Sequence, residues 1–377
     1  DYSPLVKDTQ DYVTGIAKYD GDTYYILSCG AKVPLSYEDN NGKGSKTKVT
    51  DVAITEGYIM PPNTIRLVSC ESNDGEAVMK FDLNRKVPFI ARLTGQSYSD
   101  YKVGRKVAVS ESNATGLQIV FYDTVSAKGS FSFTDTVIRN ASFSVKNKTA
   151  TLSIGFKAAG RFYGYHYEYD KDGYLILSFK KKPASLKGAV VMLDPGHGGG
   201  DSGAVCVATS SAFKGEKDIN LAIAKTVKSI LEDKGASVIM TRTSDKFVSL
   251  TERTEMCHKY NPDLFISIHC DSASSSSSRG TSAYYYRAYS QPLAKSIHSS
   301  LVNTYKANIY GSNDSAISKG TSFYAFRVER VEECPSVLIE YGFVSNLREC
   351  SLLQNSTVRY SLAQATVNGI EKYIKNQ

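Results

Sequence analysis

Up to about residue 179 the chain is a series of short runs in which apolar and polar positions alternate. They are rich in Tyr, Phe, Val and Thr and are cut by Gly, Asn, Asp and Ser. Thr23-Tyr24-Tyr25-Ile26-Leu27, Gly116-Leu117-Gln118-Ile119-Val120-Phe121-Tyr122 and Ala150-Thr151-Leu152-Ser153-Ile154-Gly155-Phe156 are examples. A period of two is that of half-buried strands. The clearest hairpin spans 165–179, where Asp170-Lys171-Asp172-Gly173 supplies the turn.

From about residue 189 the period changes. Ile219, Ile223, Val227, Ile230 and Leu231 fall on one face of a helix expected over 218–234, which Gly235 ends. A second helix begins at Ser249, with Glu252 three residues on as a capping box. Further helices are expected over 291–305 and 357–374. Strands are expected over 189–193, 237–241, 264–269, 281–286, 322–328 and 336–341, with a loop over 306–321. Strands separated by helices define an α/β layer arrangement. The expected architecture is therefore multidomain: an all-β N-terminal region plus a C-terminal α/β domain with a mostly parallel sheet flanked by helices. The run Lys180-Lys181-Lys182-Pro183-Ala184-Ser185 reads as a linker, and the polar break at 71–75 divides the β region. The expected domains are a small β module over 1–73, a β domain over 74–183 and the α/β domain over 188–377.

A length of 377 residues agrees with more than one core. No apolar run approaches the roughly 20 residues of a membrane-spanning helix, so no membrane span is expected. The formal charge of +7 is modest, and no nucleic-acid motif accompanies the lysines around 43–48 and 180–182, so nucleic acid is not an expected partner. Seven cysteines without a CxxC or a repeated spacing argue against a disulfide scaffold and against a Cys-rich zinc module. The opening DYSPLVKDTQ has no basic stretch followed by an apolar one. The chain is thus expected either not to be exported or to have lost its signal peptide.

Ligands of such sheets sit beyond the carboxyl ends of the strands, and three strand ends here carry unusual residues. The first runs into Asp194-Pro195-Gly196-His197-Gly198-Gly199-Gly200-Asp201. The third ends Ser267-Ile268-His269, and the last reads Val337-Leu338-Ile339-Glu340-Tyr341-Gly342-Phe343. Gly215-Glu216-Lys217-Asp218 precedes the first helix. Two imidazoles and a carboxylate suit zinc with one position open, and a separate carboxylate can take a proton from an attacking water. A histidine after a strand is more often a hydrogen-bonded loop residue, and glycine-rich turns often bind phosphate. The turn lacks the Rossmann and P-loop spacings, and there is no HExxH. Pattern alone leaves zinc and these blander readings level.

The ordered motifs DPGHGG, GEKDINL, SLxxR (Ser249-Leu250-Thr251-Glu252-Arg253), SIH and VLIEYGFVSN resemble those of zinc-dependent N-acetylmuramoyl-L-alanine amidases of the amidase-3 type, over about 188–377. The resemblance implies a secreted, cell-wall or envelope peptidoglycan hydrolase that cuts the amide between the muramoyl lactyl group and the stem peptide's L-alanine. It implies zinc ligands at His197, Glu216 and His269 and a catalytic glutamate at Glu340. The alternatives are an inactive wall-binding scaffold, or an amidase or peptidase cutting another stem-peptide bond. The chain departs from many members after SIH with Cys270 and Asp271. Cys270 is expected to be a buried thiol facing away from His269. Asp271 is a candidate for substrate binding, for orienting a histidine, or for capping its loop. Arg253 is a candidate for substrate contact, with packing or a salt bridge as the alternative. His166, His258 and His298 are expected to be structural or surface residues. The stretch 147–183 resembles the end of an AMIN-type β domain, which implies a hold on cell-wall or envelope polymers, anionic ones included. The interval 270–339 is expected to leave no room for a helix that plugs the site, and 274–278 is expected to be a rim loop.

Overall fold

The computed structural model describes residues 9–376 except 20–21, 35–36, 39–45, 48–58, 73–75, 96–97, 101–106, 110–113, 135–136, 160, 209, 211–212, 214, 311–317 and 324–325. Most of the 43–48 lysine stretch, part of the 71–75 break and part of the 306–321 loop thus lie outside the described residues. The chain forms two compact units. One comprises 1–95, 114–161 and 167–178, and the other 96–113, 162–166 and 179–377.

The alternating runs before residue 181 pair mostly in antiparallel ladders, with Thr124–Lys128 parallel to Asn63–Ser72. One sheet has the order Ile138–Lys146, Thr149–Phe156, Gly116–Phe121, Phe89–Thr94. The residues of Thr149–Phe156 are alternately buried and half-buried, the pattern of a sheet with one face in a core. A second sheet has the order Thr124–Lys128, Asn63–Ser72, Glu76–Leu83, Leu175–Lys180, His166–Tyr169. Its strands Asn63–Ser72 and Glu76–Leu83 pair with each other across the polar break. Phe81, Phe121 and Leu152 are fully buried, and Phe81 meets Phe143 edge-on at 5.8 Å.

The second unit is built on a six-stranded sheet. Its elements in chain order are β1 (Val190–Pro195), α1 (Glu216–Asp233), β2 (Ser237–Met240), α2 (Leu250–Tyr260), β3 (Leu264–Asp271), β4 (Thr281–Tyr285), α3 (Gln291–Tyr305), β5 (Ser318–Phe323), β6 (Ser336–Phe343), α4 (Leu347–Gln354) and α5 (Ser356–Lys375). The strand order is β2-β1-β3-β6-β4-β5. The pairs β1/β2, β1/β3, β3/β6 and β4/β5 are parallel, and β4/β6 is antiparallel. The apolar stripe of α1 (Ile219, Ile223, Val227, Ile230, Leu231) is buried with Leu193, Ile266 and Ile339 of the sheet in one core, to which α3 and α5 add Ile297, Leu301, Val367 and Ile370. Ser249 caps α2 as its spacing predicts: its hydroxyl accepts from Glu252 N at 3.2 Å, and Glu252 accepts from Ser249 N at 2.7 Å.

Two elements differ from the sequence reading. The strand expected over 322–328 lies earlier, as β5, and Arg327–Arg330 forms a 3-10 turn instead. Pairing with β4 in the register Ser282↔Gly320 decides the strand. Helix α4 has no counterpart among the elements expected from the sequence. Its signal is a cap, with Asn346 accepting from Glu349 N at 3.1 Å, because eight residues are too few for a clear period. In the interval expected to exclude a plugging helix, the described residues hold β4, α3, the helical turn Lys306–Tyr310 and β5, while 311–317 lies outside them.

Leu301 is fully buried on α3, so Leu301→Ala is expected to destabilise this unit by about 2–5 kcal/mol. Urea unfolding followed by the helical far-ultraviolet signal measures this; a midpoint unchanged from the parent chain would contradict the packing described.

Candidate metal centre

Parallel register places the key side chains. In-register neighbours on parallel strands face the same way, and His269 of β3 is paired with Glu340 of β6. β1, on the other side of β3, ends at Pro195, and the chain then turns through His197 at φ +61°. A left-handed conformation is uncommon outside glycine and needs outside support.

Support comes from buried charge. Asp194 and Arg253 are each about 97–99% buried and form an ion pair. Asp194 also accepts from Thr241 Oγ1 at 2.6 Å and Ser267 Oγ at 2.8 Å. Arg253 donates to the carbonyls of Pro195 and His197, both at 2.9 Å, and to Val248 O at 3.0 Å. Arg242 donates to Pro195 O at 2.9 Å, Gly196 O at 2.8 Å and Lys217 O at 2.8 Å. Two guanidiniums therefore satisfy the carbonyls of the turn.

One ligand atom each from His197, Glu216 and His269 lies within 4.8 Å of the other two. Glu216, the first residue of α1, lies at a helix N-terminus, where a carboxylate is favoured. It is 3.2 Å from His197 Nε2 and accepts from His269 Nδ1 at 2.9 Å, Cys270 N at 3.0 Å, Asn220 Nδ2 at 3.1 Å and Ala204 N at 2.9 Å. Burial would raise the Glu216 pKa, but the hydrogen bonds from His197 and His269 outweigh it and hold the group far below the carboxylate range. Burial would likewise lower His197, yet Glu216 and Asp201 together raise it. His197 Nδ1 donates to Asp201 Oδ2 at 2.8 Å, which leaves Nε2 facing Glu216.

The backbone around the cluster is shaped to that donor set. A Cβ on Gly196 would lie 2.1 Å from the His269 ring, and one on Gly203 would lie 2.6 Å from both Glu216 Oε2 and the His197 ring. Glu340 Oε2 is buried with no hydrogen-bond partner among the described residues. Burial, then the charges of Glu216 and Asp271, push the Glu340 pKa well above the usual glutamate value. A convergent imidazole–carboxylate–imidazole set in a tight backbone cradle, beside an unbonded carboxylate oxygen, fits a divalent ion of the zinc class.

The other sequence candidates fall as follows. Arg253 is buried and its donors are taken by Asp194 and the turn, the salt-bridge alternative of the sequence reading. Asp271 accepts from Ser272 N at 2.7 Å, as a loop cap does, and the carboxylate on a histidine is Asp201 instead. Sequence reading passed over Asp201, although an acid four residues after the histidine of a glycine-rich turn was its signal. Cys270 is buried, and burial raises its thiol pKa well above the usual value. His298 is buried, with Nε2 3.0 Å from Thr281 O. His166 and His258 stand together elsewhere, ring centroids 4.7 Å apart, and burial followed by His258 lowers His166 to about 4.

Fold and site together define an α/β domain with a candidate metal centre at its strand ends. A family model described as N-acetylmuramoyl-L-alanine amidase matches residues 191–372. "Probable cell wall amidase LytH" of Staphylococcus epidermidis is 35% identical over 191 residues, covering 51% of this chain and 60% of the relative. "Uncharacterized protein YqiI" of Bacillus subtilis is 36% identical over 192 residues, covering 50% of this chain and 86% of the relative. A solved catalytic domain of CwlV, an N-acetylmuramoyl-L-alanine amidase from Bacillus (Paenibacillus) polymyxa var. colistinus, is 33% identical. That match covers 50% of this chain and 99% of the other, with a TM-score of 0.45. The chain belongs to the N-acetylmuramoyl-L-alanine amidase family. It spans 60% of the length of the LytH relative.

Removing Arg253 leaves Asp194 as an uncompensated buried charge, so Arg253→Leu is expected to cost about 3–5 kcal/mol in urea unfolding. Burial acts to raise Asp194, but Arg253 and Thr241 hold its pKa below the usual 3.8. A lowered folded value gives stability that is present above the unfolded pKa and is lost as pH falls through the folded one. Without Arg253 that balance reverses, and the acid unfolding midpoint should move to higher pH; an unmoved midpoint would deny the brace.

Proposed function

We propose that this chain is a zinc-dependent N-acetylmuramoyl-L-alanine amidase that cuts the amide between the muramoyl lactyl group and the stem peptide's L-alanine. What carries this reading is the gathering of His197, Glu216 and His269 beside Glu340 in a chain of that family. His197, Glu216 and His269 would hold the ion. Zinc there supplies Lewis acidity, which polarises the scissile carbonyl and makes water a better nucleophile.

The chain's own groups supply orientation and proton transfer. Asp201 fixes the His197 ring so that Nε2 faces the cluster. Ala204 N, Asn220 Nδ2 and Cys270 N donate to the Glu216 carboxylate and hold it in place. Glu340 takes a proton from the attacking water at its free Oε2 and returns it to the leaving L-alanine nitrogen as the C–N bond breaks. The products are the lactyl carboxylic acid and a peptide with a free N-terminus.

The protein acts on peptidoglycan outside the cell or in its wall, in keeping with relatives named as cell wall amidases. The N-terminal β region holds it on wall or envelope polymers, anionic ones included, a role supported by the AMIN-like stretch.

Glu340→Gln is expected to keep zinc and lose about 10²–10⁴-fold in turnover on purified peptidoglycan. Mass spectrometry of the released peptides should find L-alanine at their N-termini. Near-parental activity in Glu340→Gln, or peptides beginning elsewhere, would refute the reading. Asp201→Ala should weaken zinc affinity about 10–100-fold in chelator competition, and an unchanged affinity would remove Asp201 from its role.

A further inference from the structure

Among the described residues a second group meets the same distance condition. One ligand atom each from His166, His258 and Glu333 lies within 4.8 Å of the other two. All three belong to the second compact unit, although they come from widely separated parts of the chain. We infer that His166, His258 and Glu333 form a second site for a divalent ion of the zinc class, one that braces the fold and takes no part in the chemistry of the first.

The site is built by close backbone approach. Tyr165 N donates to Glu332 O at 2.7 Å, and the Tyr165 hydroxyl bonds the Glu332 carboxylate. At Gly164, φ is +105° and an added Cβ would stand 2.5 Å from the Glu333 carbonyl, so only glycine lets the strand lie this near. That approach carries His166 to Glu333. His258, near the end of α2, places Nδ1 2.8 Å from Glu333 Oε1.

The donor set points to a ligand. His166 Nδ1 is buried with no hydrogen-bond partner among the described residues, a costly state for a ring nitrogen. Glu333 is buried, with Oε2 also accepting from Glu332 N at 3.0 Å. Two imidazoles and a carboxylate match the borderline-soft preference of zinc, and three protein ligands leave one position for water. The cation already nearby, Lys180, is directed elsewhere: its ammonium bonds Asn261 O and lies 3.5 Å from Asp263.

Placement gives the site its purpose. Arg253, which braces the His197 turn, is on the same helix as His258, and Glu333 lies three residues before the strand that carries Glu340. An ion at the second site would tie α2 to the entry of β6. This inference is independent of the amidase reading.

The test is metal content of the full chain after saturation with Zn²⁺ and removal of excess. About two zinc per chain are expected, falling to about one in His197→Ala, in His166→Gln and in His258→Gln alike, and to near none when His197→Ala is combined with His258→Gln. One zinc that His197→Ala removes and His258→Gln leaves would overturn the second site while sparing the first. One zinc with the opposite pattern would uphold the second site and sink the amidase centre. Two zinc retained in both His166→Gln and His258→Gln would also overturn the inference. The count in the unsubstituted chain does not depend on any variant folding.

Discussion

A carboxylate buried at the end of a strand needs a cation, and Asp194 meets one in Arg253. Breaking such a pair is costly, whereas the intact pair serves chiefly to fix geometry. Here it fixes a turn. The guanidinium that neutralises Asp194 also binds the carbonyls of Pro195 and His197, and Arg242 adds Gly196. The left-handed backbone of His197 persists because these bonds over-determine it, and His197 then reaches Glu216. The candidate centre is thus the exposed end of a buried electrostatic framework.

That framework joins three levels of organisation. The apolar stripe of α1 packs on the sheet and so sets where the helix begins, which places Glu216 at the helix N-terminus. Parallel pairing of β3 and β6 brings His269 and Glu340 side by side. The capping box of α2 starts that helix where Arg253 can reach back to the turn. Each device is weak alone, and together they bring four groups from four separate segments to one end of the sheet.

Much of this was legible along the chain. The change from a period of two to the helical period separated the β region from the α/β domain, and the helix 291–305 and the Ser249 cap fall where the sequence puts them. His197, Glu216, His269 and Glu340 were candidates because they lie at or near element ends and match the motifs of the family they resemble. Strand β5 was misplaced because edge pairing, not local hydrophobicity, decides it. Arg253 stayed open between substrate contact and a salt bridge, since a sequence motif does not reveal that a guanidinium is buried.

Sequence by itself determined most of the elements, the family motifs and the residue types available for chemistry, because periodicity, caps and turns act over a few neighbours. Only the tertiary structure decided that Asp201 orients His197, that Arg242 and Arg253 close on the same turn, and that His166, His258 and Glu333 meet. Those meetings join residues up to 167 positions apart, as in Tyr165 and Glu332. They depend on how closely backbones approach, and that distance is fixed by packing and by the missing side chains of Gly164 and Gly196 rather than by any local pattern.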